Sequence, residues 1–370
     1  MALFLFVDLV FGLLHLCSKV ISNCMTSTYL EPKHNQSTKH TRSLIVDRAH
    51  LLWALRQSFH KEGFLEIESP SIVVSPGLEP QLDAFEVKSH YAEVYQPQRR
   101  WLHTSPEYAL KRFLSTDGQN IKRIYSLGSC FRDEPPSSSH SPEFTMLEWY
   151  ARDLSLEDLM TQCEMLIKTL SQVAENLGYP QSLITPKQDF ERLSVQQAFL
   201  RYAGIDLGQA QSVADLRVHA QKAGIRADGL HGTWDEVYFQ IFMDLVEPRL
   251  AKNGACFLYD FPASQAALAK LDPQDPRWAR RFELFINGIE LANAFDELSV
   301  ASEQRERFQA DLQVRAQRSA QQPMIDEELL NHLDHLGQCV GIALGFDRLV
   351  MLLLGTEHID QVRLQPWTSL

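Results

Sequence analysis

The stretch from Phe131 to Tyr150, FRDEPPSSSHSPEFTMLEWY, decides how the rest of the chain is read. Its flanks alternate like strands, over Ser126 to Asp133 and over Glu143 to Arg152. The Pro/Ser-rich run from Pro135 to Pro142 between them offers no apolar anchor. The pattern predicts a hairpin with a long connection. Arg132 and Glu134 stand two apart, so their side chains leave the same face of the first strand. Phe144, Met146, Glu148 and Tyr150 share one face of the return strand. Over a cleft, such a hairpin offers a guanidinium fork for phosphate or carboxylate, a ring for stacking and a carboxylate deep in a pocket. For the Arg132/Glu134 pair taken alone, an exposed, salt-bridged hairpin is the better reading.

The whole string resembles motif 2 of class II aminoacyl-tRNA synthetases, and HSPEFTMLEWY is similar to their lysyl branch. A second stretch, Gly341-Ile342-Ala343-Leu344-Gly345-Phe346-Asp347-Arg348, resembles motif 3, a strand running through glycines into a helix whose first turn carries Arg348. Leu51, Leu52, Leu55 and Phe59 recur at helical spacing and Gly63 follows, which predicts a helix over Asp47 to Lys61. The next segment, FLEIESPSIVVSPGLEP, reads as a strand broken at Pro70. Helix and strand together resemble motif 1, which builds the dimer interface in that superfamily. The resemblance implies an α+β fold: a class II aminoacyl-tRNA synthetase core with a mixed, mainly antiparallel sheet flanked by helices, assembled as a homodimer.

Composition bounds the partners. The chain has 370 residues, of which 45% are hydrophobic, enough for a substantial core. Its formal charge of -12 supplies no general basic field, so tight binding of a polyanion would need a local patch. The pairs Arg99-Arg100, Lys111-Arg112, Lys122-Arg123 and Arg280-Arg281 are small ones. The cysteines are scattered without CxxC pairs, which argues against a zinc cluster or a disulfide framework and for a reducing, cytoplasmic setting. The apolar start, MALFLFVDLVFGLLHLCSKVISNC, lacks a basic n-region and is interrupted by Asp8. The preferred reading is a poorly ordered extension or an upstream start, with Met25 an alternative initiator, ahead of a packing arm and, last, a membrane anchor. Residues 25–42 are polar and aperiodic, a linker. The expected organisation is therefore an N-terminal extension over 1–42 and a catalytic domain over 43–370, with a helical insertion at about 180–252.

Local signals fill in the rest. Ser105 and Pro106 predict a helix start, with Ser105 as N-cap, and Thr104-Ser105-Pro106-Glu107 resembles the lysyl-type substrate loop. Ser155 with Asp158 caps a long helix running to about Gly178. Further helices are expected over Ser194 to Tyr202, Val213 to Lys222 and Thr233 to Ala251, the last with a Thr233/Glu236 capping box. Phe257 to Phe261 is a short strand. Arg281 to Leu298, RFELFINGIELANAFDEL, is a hairpin turning at Asn287-Gly288, with Glu283 and Glu290 on opposite arms. Neither GxGxxG nor GxxxxGK[ST] occurs, so nucleotide binding uses neither of those loops.

Activating a carboxylate with ATP brings two anions together, and the site must supply cations where charge accumulates. Arg132 and Arg348 are the catalytic candidates. The resemblance implies that Arg132 holds the α-phosphate and the substrate carboxylate. It places Arg348 on the γ-phosphate and against the adenine opposite Phe144, His140 near the tail phosphates, and Glu134 beside the adenine. It implies that Glu283 and Glu290 hold Mg2+ ions bridging the phosphates, a pairing that suits magnesium. Their plain alternative is a solvated hairpin face. By the same resemblance Glu107, Glu148 and Glu297 form an acidic amino-acid pocket with Tyr150, Asn293 and Phe295, and a cationic amino acid such as lysine or β-lysine would neutralise it.

Two features depart from lysyl-tRNA synthetases. Their anticodon-binding domain has no counterpart in the strand pattern ahead of the first helix, so no tRNA anticodon binding is expected. Ala343 also stands where those enzymes carry glycine, and its methyl would crowd an α-amine at the pocket floor. With FPASQAALA and GIELANAFDEL, these features resemble the synthetase paralogues that modify elongation factor P. The implied activity is formation of a lysyl- or (R)-β-lysyl-adenylate and transfer of the acyl group to a lysine of that protein. Two alternatives stay open: a truncated lysyl-tRNA ligase, and a non-catalytic sensor of ATP or amino acids.

Overall fold

The computed structural model describes residues 43–369 apart from 89, 92–98, 180–188, 226–231, 253 and 320. The readings of residues 1–42, including the apolar start and Met25, lie outside the described residues. Strand alternation builds the centre. β5 (Arg123–Phe131) and β6 (Glu143–Ala151) pair antiparallel from Arg123↔Ala151 to Phe131↔Glu143, the hairpin expected from the opening stretch. β11 (Val340–Gly345) pairs antiparallel with the other side of β6, followed by β10 (Ile289–Asp296), β9 (Trp278–Ile286) and β8 (Ala255–Pro262). Parallel partners close the edges, β1 (Leu65–Glu66) beside β5 and β7 (Glu191–Ser194) beside β8. The eight-stranded sheet thus runs β1-β5-β6-β11-β10-β9-β8-β7, mixed and mainly antiparallel. At the β9/β10 turn Asn287 (φ 51°) and Gly288 (φ 81°) both take positive φ, the backbone a two-residue hairpin turn demands.

The helices follow their caps. α1 (Leu44–Lys61) precedes β1, α2 (Glu107–Ser115) follows the small antiparallel sheet of β2 (Ile72–Val73), β4 (Arg100–Leu102) and β3 (Glu86–Val87), and α3 (Leu156–Asn176) opens on the Ser155/Asp158 capping box. α4 (Val195–Ala203) and α5 (Val213–Lys222) carry capping boxes too, as does α6 (Trp234–Ile241) from Thr233 and Glu236. The helix expected to run unbroken to Ala251 instead passes through a π-turn at Phe242–Val246 before α7 (Glu247–Leu250), because Pro248 has no N–H to return to the preceding turn. α8 (Ala301–Arg318), α9 (Glu327–His332) and α10 (Phe346–Leu354) complete the order.

Period-two alternation sorts the two faces of the sheet. Leu147 and Trp149 of β6 with Ile342 and Leu344 of β11 enter the main core, where Leu51, Leu55 and Phe59 of α1, Leu159 and Ile167 of α3, and Leu349 and Leu353 of α10 meet them. A second cluster packs α4 to α6 against Cys256, Leu258 and Phe285 at the far edge. The opposite face of β6 and its neighbours holds polar side chains, and the site lies there.

Candidate active site

Register places the site. One row crosses five strands, Glu283 (β9), Asn293 (β10), Ala343 (β11), Glu148 (β6) and Ser126 (β5), each opposite the next. The adjacent row reads Arg281, Phe295, Gly341, Tyr150 and Ile124. Directly opposed side chains sit about 5 Å apart at Cβ, so the Ala343 methyl lies between Asn293 and Glu148. At Gly341 any Cβ would collide with Glu297 Oε1 and with the Tyr150 ring, so the central strand is small there to leave a hollow.

Glu107, Glu148 and Glu297 converge on that hollow. Glu148 is buried and accepts from the Tyr150 hydroxyl at 2.6 Å and the Ser105 hydroxyl at 2.7 Å. Burial first, and then the charge of Glu107, pushes its carboxyl above the usual range. Burial likewise raises Glu297, with Lys111 opposing. The pocket is not purely acidic. Lys111, read from sequence as part of a basic surface pair, is buried with Nζ 2.5 Å from both Glu107 Oε1 and Glu297 Oε2. The other basic pairs also dissolve into partners: Arg112 on Asp326, Arg123 on Asp153, Arg280 on Glu157. Ser105 differs from its expected role by one position. The N-cap is Pro106, and the Ser105 hydroxyl accepts from Glu107 N at 3.1 Å while donating to Glu148.

The two arginines stand at the other end. Arg348 Nε donates to Ser139 O at 3.0 Å, Nη1 to Glu290 O at 2.8 Å and Nη2 to His140 Nε2 at 2.7 Å, so motif 3 holds the β5/β6 connection. Burial and the neighbouring Arg348 charge lower the His140 pKa, which keeps the ring neutral and able to accept. The Arg132 guanidinium lies 5.0 Å over the Phe144 ring. This is the ring that was expected to meet adenine opposite Arg348. Glu134 is half-buried beside the same strand end, its N–H donating to Arg132 O at 2.9 Å.

Glu283 is buried and ion-paired with Arg281, whose Nε also donates to Asn293 Oδ1 at 3.1 Å and whose guanidinium lies 4.5 Å over Phe261 and 5.8 Å over Phe295. Burial raises the Glu283 carboxyl, Arg281 opposes, and the charges of Glu290 and Glu247 raise it further. Among the described residues no group of three or more His, Cys, Asp or Glu is arranged to hold a metal by itself. Two mutually repelling carboxylates on one hairpin still fit a divalent ion that takes its remaining ligands from phosphate and water.

Sequence reasoning missed Lys111, Arg281, Ser105 as a donor to Glu148, and Asp347. The Glu107/Lys111 spacing of four on a helix was the one available signal for Lys111. Asp347 is buried, pairs with Arg48, and accepts from Thr145 N at 2.9 Å, fixing the start of α10 to β6 and α1.

Known proteins resemble this chain over most of its length. A family profile described as tRNA synthetases class II (D, K and N) matches residues 27–369. The chain is 37% identical over 324 residues to an elongation factor P–(R)-β-lysine ligase of Pectobacterium carotovorum, covering 86% of this chain and 93% of that protein. The corresponding ligase of Proteus mirabilis is 36% identical (86% and 93% covered), and that of Vibrio cholerae 35% (88% and 95%).

Proposed function

The chain belongs to the class II tRNA synthetases (D, K and N), and on that premise we propose that it is an ATP-dependent, AMP-forming ligase. It activates lysine or (R)-β-lysine as the aminoacyl-adenylate and transfers the acyl group to the ε-amine of a lysine on elongation factor P. The observation that carries this reading is the polarity of one sheet face. Three carboxylates, Glu107, Glu148 and Glu297, gather at one end, where Lys111 is the cation paired with them among the described residues, and the arginines Arg132 and Arg348 stand at the other. A substrate with an ammonium at its far end and a carboxylate at its head meets an unneutralised acid and a guanidinium in turn.

In the first step the substrate carboxylate attacks the α-phosphate, pyrophosphate leaves, and Arg132 and Arg348 offset the charge gathered there. Phe144 supplies the stacking face for adenine, and Glu134 and His140 border the nucleotide. Glu283 and Glu290 would hold Mg2+, which when bound supplies charge neutralisation on the phosphates. In the second step the deprotonated ε-amine of the acceptor attacks the mixed anhydride, an amide forms, AMP leaves and a proton is lost.

The assembly proposed is a cytoplasmic homodimer. It is supported by large apolar side chains exposed on α1, β1 and β2: Val46, Trp53, Leu65 and Ile72. Among the described residues no helix is long and apolar enough to cross a membrane.

The test is acyl transfer by the purified protein with ATP, Mg2+ and radiolabelled lysine or β-lysine, offered elongation factor P in one reaction and bulk tRNA in another. Label on the protein alone is the expected result. Label on RNA would replace this reading with a minimal tRNA ligase, and the absence of pyrophosphate exchange with either amino acid would remove the activation step itself.

A further inference from the structure

The loop between β2 and β3 carries a carboxylate that the chemistry above leaves unused. Glu79 follows Gly77, which holds φ at 131°. A Cβ at Gly77 would come within 2.7 Å of Glu79 Oε2 and 2.8 Å of Thr104 Oγ1. The missing side chain lets the Glu79 carboxylate fold back against the start of the Thr104–Glu107 loop. There Glu79 Oε2 is buried with no hydrogen-bond partner. Burial, and next the charge of Glu107, pushes its carboxyl above the ordinary range, while its own backbone N–H and then the Arg132 charge pull it down.

The backbone of the loop is pinned on both sides of this group. Thr104 donates to Pro76 O from both N (3.2 Å) and Oγ1 (2.6 Å), and Leu82 N donates to Glu79 O at 3.1 Å. Further along, Arg315 Nη1 and Ser319 Oγ donate to Asp83 Oδ1 at 3.0 and 2.9 Å, and the Gln321 side chain bonds both N and O of Ala84 at 3.0 Å. Asp133 N donates to Asp83 O at 2.9 Å, so the loop runs between the Thr104 segment and the strand end that bears Arg132. Arg132 Nε is itself buried without a partner.

A carboxylate oxygen and a guanidinium nitrogen, both buried and both without a hydrogen-bond partner, are therefore held by this loop and by the strand end beside it. Proteins leave few buried polar atoms unpaired, and two of opposite character, near enough for the Arg132 charge to act on Glu79, match a ligand group carrying both signs. We propose that Glu79 receives the amine nearest the carboxylate of the amino-acid substrate while Arg132 holds that carboxylate. This rests on reading the site as an amino-acid-activating pocket. Glu79 is then a specificity residue for the head of the substrate, and Glu148 with Tyr150 faces the distant amine.

The experiment compares wild type with Glu79→Gln in ATP–pyrophosphate exchange, using L-lysine, (R)-β-lysine and 6-aminohexanoic acid, which lacks the head amine. For the diamino acid the enzyme uses, KM is expected to rise about ten- to hundredfold with kcat within about twofold, the loss of one hydrogen bond to a charged group. The KM for 6-aminohexanoic acid stays unchanged, and Glu79→Asp falls between. The ligand-free Glu79→Gln protein unfolds at the same or a higher temperature, because a carboxylate whose charge burial disfavours has been replaced by a neutral amide. A parallel rise with 6-aminohexanoic acid, or a lower unfolding temperature with all substrates weakened alike, would assign Glu79 a structural role and overturn the proposal. An unchanged diamino-acid KM would overturn it too. If wild type exchanges only with a different amino acid, the lysine reading fails, and the same comparison with that amino acid and its des-amino analogue decides Glu79 separately.

Discussion

Lys111 Nζ lies 2.5 Å from Glu297 Oε2, and both side chains are almost wholly buried. A cation supplied by the chain itself therefore occupies part of the pocket that sequence reading left to the substrate. It pairs with both Glu297 and Glu107 and leaves Glu148 to the hydroxyls of Tyr150 and Ser105. Lys111→Met strands two buried carboxylates and should lower unfolding free energy in urea by about 3–5 kcal/mol. Pairing it with Glu297→Gln should recover part of that loss. A Lys111→Met protein as stable as wild type would show that this pair does not hold the pocket together.

Ala343 stands between Asn293 and Glu148 in the row across the sheet. Ala343→Gly deepens the floor at that point and should raise activity with α-lysine relative to β-lysine, by up to about tenfold for one methyl. Pyrophosphate exchange with each amino acid gives the ratio. An unchanged ratio would mean that the methyl does not touch the substrate.

Glu290 has an exposed side chain, and its main-chain carbonyl accepts from Arg348. Glu290→Ala should therefore leave stability within about 0.5 kcal/mol of wild type, since the carbonyl contact persists. Magnesium-dependent adenylate formation should be abolished in the same protein. Normal turnover at ordinary Mg2+ concentrations would refute the assigned metal site.

The raised Glu148 carboxyl makes stability depend on pH. Its folded pKa exceeds the unfolded value of about 4.3, so between the two the folded state binds more protons and stability falls as pH rises. The ligand-free unfolding temperature should decline from pH ~4.3 upward through this group's titration, and Glu148→Gln should flatten that slope. A cationic amino acid favours the ionised carboxylate, so its stabilising effect should grow over the same range. Thermal melts across pH, with and without lysine, measure both trends.

Some of the site was legible because its residues lie on one strand or one turn. Glu148 and Tyr150 share a face by period two, Asn287-Gly288 fixed the β9/β10 hairpin, and Ser155/Asp158 marked the start of α3 to the residue. β7 was invisible as a four-residue edge strand with no alternation of its own, formed because β8 offers it a parallel partner. α8 was passed over, although its end clamps the Asp83 loop through Arg315. Lys111 and Arg281 were misread as surface charge, since nothing local distinguishes a solvated lysine from one enclosed by carboxylates.

The sequence by itself determined the class: two motif-bearing strands, their spacing within each motif, and the alternation that sends Leu147 and Trp149 to the core and Glu148 and Tyr150 to the site. Those are short-range properties, set by backbone geometry and side-chain period. Tertiary structure alone decided which charges meet. Lys111 finds Glu297, Arg348 finds His140, Asp347 finds Arg48, and Glu79 Oε2 is left without a hydrogen bond within reach of the Arg132 charge. Each of these juxtapositions joins chain segments far apart in sequence, and electrostatic energy depends on separation in space and on burial, which the fold as a whole sets.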